Sequence, residues 1–273
     1  MIEGDTIFYS IVIELKALES GVIPTFPGKK IHGLFFNILK DVDKEISYKL
    51  HEDKNYKPFT VSSFLGKKID EPVTILKGKR YYIRMTFLEE KIFILFTTKI
   101  FKNKIFKEKI NIEDISFSII RIIFDKEHSK WANLLTIDDL LKENYDNKIS
   151  LTFITPTLFK TGDKHLRYPD PEKIFNSLLI KFNKYSPYKL NEKVKEKFNT
   201  IKIIQRKTHL KYIYFPNFYL QGFTGNVVFE IPEDNYELKK TANILSDFAF
   251  YAGVGYKTTM GLGQTRREEP VNV

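Results

Sequence analysis

Twice along the chain the residue pattern runs strand, helix, strand, strand, helix, strand. In the first pass "IFYSIVIEL", residues 7–15, is β-branched and aromatic, which suits a pleated, half-buried strand. "SGVIPTFPGKK" is a proline- and glycine-containing loop. In "KIHGLFFNILK", Ile31, Leu34, Phe35, Ile38 and Leu39 recur at helical spacing and form one apolar stripe. Val42, Ile46 and Leu50 carry the period onward. "KPFTVSSFLG" and "KGKRYYIRMTFL" read as strands, "EEKIFILFTTKIF" as a helix because it follows a strand without turn residues, and "ISFSIIRIIF" as a strand. In the second pass "SLTFITPTLF" is a strand, and Asp170 and Pro171 form an N-cap and first helical position. Ile174, Phe175, Leu178, Leu179 and Phe182 give that helix its apolar face. Two or three strands follow across 201–230, then the helix "YELKKTANILSDFAFYA" and a glycine-rich end. Each pass has the order of a ferredoxin-like, or RRM-like, unit. The expected class is therefore α+β: two tandem ferredoxin-like folds with antiparallel sheets and helices packed on one face. Residues 1–125 form the expected N-terminal domain and 126–273 the C-terminal one, joined by the polar stretch 125–149, which holds a short helix.

With 42% hydrophobic residues the chain folds around a sizeable core. Lysine and arginine number 44 against 34 acidic residues, a net charge of +10. That surplus points first to nucleic acid and second to an anionic membrane surface, although lysine-rich proteins of AT-rich genomes are often basic without any partner. The absence of cysteine excludes disulfides and cysteine-bound zinc and permits a cytoplasmic location. No signal peptide is expected in "MIEGDTIFYSIVIELK", and no run is long and apolar enough to span a membrane. The five histidines are scattered, and paired carboxylates such as Glu89–Glu90 and Asp138–Asp139 point to different faces. No metal site and no cofactor are expected.

The end of the chain, "GVGYKTTMGLGQTR", places Gly253, Gly255, Gly261 and Gly263 around Lys257, with Arg266 just beyond. A P-loop needs glycine directly before its lysine, and here Tyr256 intervenes. A dinucleotide loop must open a helix, and too few residues follow Gly263 to build one. A helix C-cap and a turn into an edge strand account for one or two of the glycines. A main-chain surface open to a nucleic-acid backbone accounts for all four, because glycine removes Cβ, exposes N–H groups and permits positive φ.

A helix followed by "GVGYKTTMGLG" near the C-terminus resembles the signature loop of the repeat-associated RNA-processing proteins of CRISPR systems. "HGLFFNIL", "LHEDKNYKPFTVS" and "TPTLFKTGDKHLRYPDPEKIFNSLL" extend the resemblance through both halves, to the sixth Cas family, the endoribonucleases that cut CRISPR repeat transcripts. The resemblance implies two ferredoxin-like folds side by side and metal-independent cleavage at the 3′ base of a repeat hairpin. Such chemistry uses the 2′-hydroxyl as nucleophile and leaves a 2′,3′-cyclic phosphate and a 5′-hydroxyl. It needs a base, an acid and a cation for the phosphorane, and histidine suits the first two roles.

The resemblance places catalytic histidines at positions matching His32 in some members and His51 in others, and in some members a transition-state lysine at the position of Lys57 in "KPFT". One pattern within the family has a first-helix tyrosine where Phe36 stands here, which cannot move a proton and so turns attention to His32, beside Gly33. The expected catalytic residues are His32, His51 and Lys57. The expected RNA contacts are Lys160, Lys164, His165 and Arg167 of "FKTGDKHLRYPD", with the four glycines, Lys257 and Arg266. In "RKTHLKYIYF", Lys207, His209 and Lys211 alternate with Thr208, Leu210 and Tyr212, so one sheet face is expected to be basic. The expected partner is CRISPR repeat RNA. The reading leaves open residence in an effector complex and a monomeric or homodimeric state. The alternative is a non-catalytic RNA-binding subunit of the same kind of complex.

Overall fold

The computed structural model describes residues 6–53 and 55–268; whatever was expected of residues 1–5 and 269–273 lies outside that range. The first half contains β1 (Thr6–Ala17), β2 (Gly21–Ile23), α1 (Gly28–Val42), α2 (Lys44–Glu52), β3 (Phe59–Val61), β4 (Val73–Ile75), β5 (Arg80–Phe87), α3 (Glu90–Ile105), β6 (Lys109–Ile112) and β7 (Ile115–Ile123). Its sheet runs β3-β5-β1-β7-β6 and is antiparallel throughout. In the unit β1-α1-β3-β5-α3-β7 the first strand lies between the third and the fourth, and the second forms an edge beside the third. That is the ferredoxin-like arrangement.

The second half continues with β8 (Asn133–Thr136), α4 (Ile137–Leu140), β9 (Lys148–Thr157), β10 (Phe159–Thr161), β11 (Lys164–Leu166), α5 (Pro171–Tyr185), a 3₁₀ segment (Glu192–Thr200), β12 (Lys202–Tyr214), β13 (Tyr219–Glu230), α6 (Tyr236–Ala252), a 3₁₀ turn (Thr258–Met260) and β14 (Thr265–Glu268). Its sheet runs β12-β13-β9-β14, the same arrangement repeated. The protein is α+β with two tandem ferredoxin-like folds. Among the described residues no helix is long and apolar enough to cross a membrane.

Local chemistry explains where the elements depart from the sequence pattern. The helical period through Val42, Ile46 and Leu50 is divided between α1 and α2 because Asp43 adopts an extended backbone and accepts a hydrogen bond from the Ile46 N–H. That is an N-cap, which starts a new helix. "KPFTVSSFLG" contributes only the three residues of β3. The stretch 125–149 carries the expected short helix, with a capping box at Thr136 and Asp139, and also β8, which pairs with β1.

Each sheet buries one face under its helices. In the first half Phe35 of α1 stacks on Phe59 at 3.7 Å and lies 5.3 Å from Phe96 of α3. The second core takes in residues from the first half: Phe8 of β1 lies 4.7 Å from Phe248 and 5.9 Å from Phe182. Burying such a side chain stabilises by about 1.5–3 kcal/mol. The two halves are therefore joined by a shared apolar contact as well as by the chain.

Candidate active site at the junction of the halves

His32 and Phe36 lie one turn apart on α1, at the flank of its buried stripe, so their rings meet. The His32 ring centroid is 4.9 Å from that of Phe36 and 5.9 Å from that of Phe59. Its Nδ1 lies 2.8 Å from the carbonyl oxygen of Thr259, in the other half. A carbonyl only accepts, so Nδ1 carries the hydrogen and Nε2 keeps its lone pair. Burial pulls the His32 pKa down to about 4. The Thr259 bond opposes that shift, and the charges of Lys57, His51 and Lys257 add to it. Beside it Gly33 is exposed, with open space where a Cβ would stand.

His51 lies in the last turn of α2 and is exposed, with Nδ1 3.4 Å from Glu52 Oε1. Its ring meets Phe36 edge-on at 5.2 Å. Lys57 Nζ donates to the carbonyls of Leu50 at 2.5 Å and His51 at 2.8 Å, which caps the C-terminus of α2. The same Nζ stands 5.4 Å from the Phe36 centroid, and burial lowers its pKa. Phe36 thus forms the common wall against which His32, His51 and Lys57 are all packed.

From Lys57 a cleft of about 450 Å³ runs between the halves, lined by Asn55, Tyr56, Lys181, Gly255, Tyr256, Lys257, Thr258 and Thr259. Lys181 is almost fully buried on α5. Its Nζ donates to the carbonyls of Ala252 and Gly253 at 3.0 and 3.1 Å, at the end of α6, and lies 5.3 Å from the Tyr56 ring. Burial pulls its pKa down to about 7.

The glycine stretch closes the far side of this cleft. It is a helix C-cap and a turn into edge strand β14, and this local structure requires all four glycines rather than one or two. Their φ angles are +60°, +86°, +90° and +66° for Gly253, Gly255, Gly261 and Gly263, in the left-handed region that other residues avoid. A Cβ on Gly255 would stand 2.4 Å from the Leu158 carbonyl oxygen, and one on Gly263 would stand 1.9 Å from that of Val254. The loop folds back on the end of β9, with Tyr256 N–H donating to Leu158 and Gly263 N–H to Pro156. That return course explains the demand for glycine, and it places Thr259 against His32.

Of the cationic candidates, Lys160, His165 and Lys257 converge on one ring. Lys160 and His165 pair across the β10–β11 hairpin. The His165 ring stacks on Tyr256 at 5.8 Å, and the Nζ atoms of Lys160 and Lys257 lie 6.0 and 5.0 Å from its centroid. Lys164 is exposed on the same hairpin, and Arg167 donates to the side chain of Gln221. Arg266 belongs elsewhere: it bonds Glu268 at 2.7 Å, lies 5.8 Å from the Trp131 ring and lines a separate cavity with Lys126, Lys130 and Arg267. Lys207, His209 and Lys211 are exposed, but Lys211 is paired with Asp70 at 2.7 Å.

Sequence reasoning missed Lys181, Tyr56 and Thr259. Lys181 carried a legible signal, since it falls seven residues after Ile174 on an otherwise apolar stripe. Thr259 carried none, because its contribution is a backbone carbonyl.

The fold and site define a double ferredoxin-like protein with a histidine–lysine cleft at the junction of its halves. The model of the CRISPR Cas6 N-terminal domain matches residues 7–142, and that of the CRISPR-associated endoribonuclease Cas6 matches residues 151–265. The chain belongs to the Cas6 family. It is 26% identical over 133 residues to a CRISPR-associated endoribonuclease Cas6 from Streptococcus thermophilus, a match over 46% of this chain and 53% of that protein, about half its length. A Cas6 product complex is similar with a TM-score of 0.82 and 27% identity, over 96% of this chain and all of that one. Thermus thermophilus Cas6 is similar with a TM-score of 0.74 and 25% identity, over 97% of this chain and all of that one.

Proposed function

We propose that the chain is an endoribonuclease that binds CRISPR repeat RNA and cuts it, without a metal ion, by attack of a 2′-hydroxyl on the adjacent phosphate. The products carry a 2′,3′-cyclic phosphate and a 5′-hydroxyl. The observation that carries this reading is the state of His32: a neutral imidazole whose Nδ1–H is committed to the Thr259 carbonyl, leaving Nε2 as a base. In this reading Nε2 takes the 2′ proton. His51, exposed on the other edge of Phe36, gives a proton to the departing 5′ oxygen. Lys57 has a third N–H beyond the two it gives to carbonyls, and that N–H faces the charge that develops on the phosphorane. Residues 1–125 supply these catalytic groups, and residues 126–273 hold the RNA through the glycine loop, Lys160, Lys164, His165, Arg167 and Lys257, with Arg266 contributing from a second patch. Similarity to a Cas6 solved as a product complex supports the choice of RNA.

The test is single-turnover cleavage of repeat RNA in EDTA. Wild type is expected to cut and to leave a cyclic phosphate. His32→Ala is expected to cut roughly 10²–10⁴-fold more slowly with little change in affinity. A 2′-deoxy nucleotide 5′ of the scissile phosphate is expected to abolish cleavage and preserve binding. Cleavage of the deoxy substrate, or activity that vanishes in EDTA and returns with Mg²⁺, overturns the mechanism. Binding without any cleavage identifies a non-catalytic RNA-binding subunit instead.

A further inference from the structure

The β12–β13 hairpin ends in a cluster of aromatic side chains that the catalytic reading leaves unused. Ile213, Phe215 and Leu220 point inward and are buried with Phe26 and Leu262. The Phe26 N–H also donates to the Tyr214 carbonyl at 2.9 Å, so the tip is held firmly against the first half. Strand alternation then turns Tyr212 and Tyr214 outward, and Tyr219 pairs directly with Tyr214. These three rings are 44%, 51% and 64% exposed. Tyr212 lies 6.3 Å from Tyr214 and 5.8 Å from Tyr219, which makes a continuous aromatic face rather than isolated side chains.

A cation stands at one end of this face. Arg167 donates to Gln221, whose backbone pairs with Tyr212. On the opposite, inward side of the tip, Lys257 Nζ lies 5.8 and 5.9 Å from the rings of Phe218 and Phe215, which stack on each other, and lines the cleft that leads to Lys57. An exposed aromatic surface with a cation at its end, on a hairpin whose other side meets a lysine-lined cleft, fits unpaired nucleotides: bases stack on the rings and a phosphate meets Arg167.

We propose that Tyr212, Tyr214 and Tyr219 form a stacking platform for unpaired nucleotides of a bound RNA, beside the cleavage cleft. The proposal deepens the RNA-processing reading and rests on it for the identity of the natural RNA. Stacking tolerates any sequence, so the platform also predicts binding of unrelated single strands.

The experiment uses the full-length chain with two probes, a non-cleavable deoxy-substituted repeat RNA and single-stranded oligouridine, each titrated at several salt concentrations. The triple variant Tyr212→Ser, Tyr214→Ser, Tyr219→Ser changes only exposed side chains. It is expected to bind both probes roughly 10–100-fold more weakly. The slope of affinity against salt is expected to stay unchanged, because no phosphate-neutralising charge is lost. Phenylalanine at all three positions is expected to restore wild-type affinity. Wild-type binding by the serine variant overturns the platform, as does a loss that phenylalanine does not rescue. If wild type cuts repeat RNA while the serine variant binds normally, the platform fails and the RNA-processing reading stands. If repeat RNA is neither bound nor cut but oligouridine binding depends on the tyrosines, the reading fails and the platform stands. Wild type that binds neither probe overturns both.

Discussion

His32 shows how one side chain is prepared for its role by what surrounds it. Half-buried between Phe36 and Phe59, it keeps a pKa near 4 in the fold, against 6.5 for an ordinary histidine. Two consequences follow in opposite assays. The base form survives acidification, so the acid limb of kcat/KM, which reports the free enzyme, is expected closer to pH 4 than to 6.5 when chemistry limits the rate. Stability behaves the other way. Between pH 6.5 and 4 the unfolded chain protonates this histidine while the folded chain does not, so the unfolded state binds more protons there. Stability is therefore lost as pH falls through that window and is flat above it. Denaturant unfolding of wild type and His32→Gln at pH 7 and pH 4.5 checks this: the variant is expected to lose less stability on acidification. An equal loss in both would show that His32 is not held neutral by the fold.

The glycine loop is the element whose sequence and geometry are most tightly matched. Gly263 combines φ +66° with a Cβ position only 1.9 Å from the Val254 carbonyl oxygen, so an added methyl group meets backbone that cannot move aside. Gly66 also has positive φ, +76°, but has open space around it. Gly66→Ala is expected to cost about 1 kcal/mol from backbone strain alone. Gly263→Ala is expected to cost at least twice as much and to weaken RNA binding, since it displaces the turn that carries Lys257 and Thr259. Equal stability of the two variants in denaturant titrations would mean that the loop is free to rearrange. The sequence showed four glycines and a lysine but not this reason for them. C-cap logic counts only the residues next to the helix, whereas here Gly255 and Gly263 are dictated by carbonyls at Leu158 and Val254 that the loop meets as it folds back.

At the scale of the whole molecule, Arg84 ties the halves together. It sits in β5, 1% exposed, and its guanidinium donates to Ser10 Oγ at 2.8 Å, to the Trp131 carbonyl at 3.1 Å, to the Phe250 carbonyl at 2.6 Å and to Gln264 Oε1 at 2.5 Å. The plane also lies 3.9 Å from the Phe250 ring centroid. Gln264 in turn donates to Thr60 and Val61 of the first half. Arg84→Met removes the donor from four acceptors, a loss on the order of 3 kcal/mol, since bonds to charged groups are worth about 1.5–3 kcal/mol each and the relieved burial of charge offsets part of the sum. Thermal unfolding is expected at a lower temperature and, because the junction is weakened, with a broader or divided transition. A single transition at the wild-type temperature would refute the assignment of Arg84 as the coupling residue.

The sequence by itself determined the order of the six ferredoxin-like elements in both halves, the class of fold and the inward faces of the main helices, because periods of 2 and 3.6 residues are written within single elements; the short strands β2, β4, β6, β8, β10 and β11 are too brief to show a period. The family resemblance in the sequence brought forward His32, His51 and Lys57, which pack on one neighbouring ring. Only the tertiary structure decided what happens to the faces turned away from each core. In "RYYIRMTF" the alternation marks Arg84 and Thr86 as outward, yet the second half covers them, and Thr86 donates to the Tyr251 carbonyl 165 residues away. Likewise the carbonyl that selects the His32 tautomer comes from Thr259, 227 residues along the chain. A backbone carbonyl has the same chemistry in every residue, so nothing in the sequence distinguishes the one that the docking of two halves brings to the histidine.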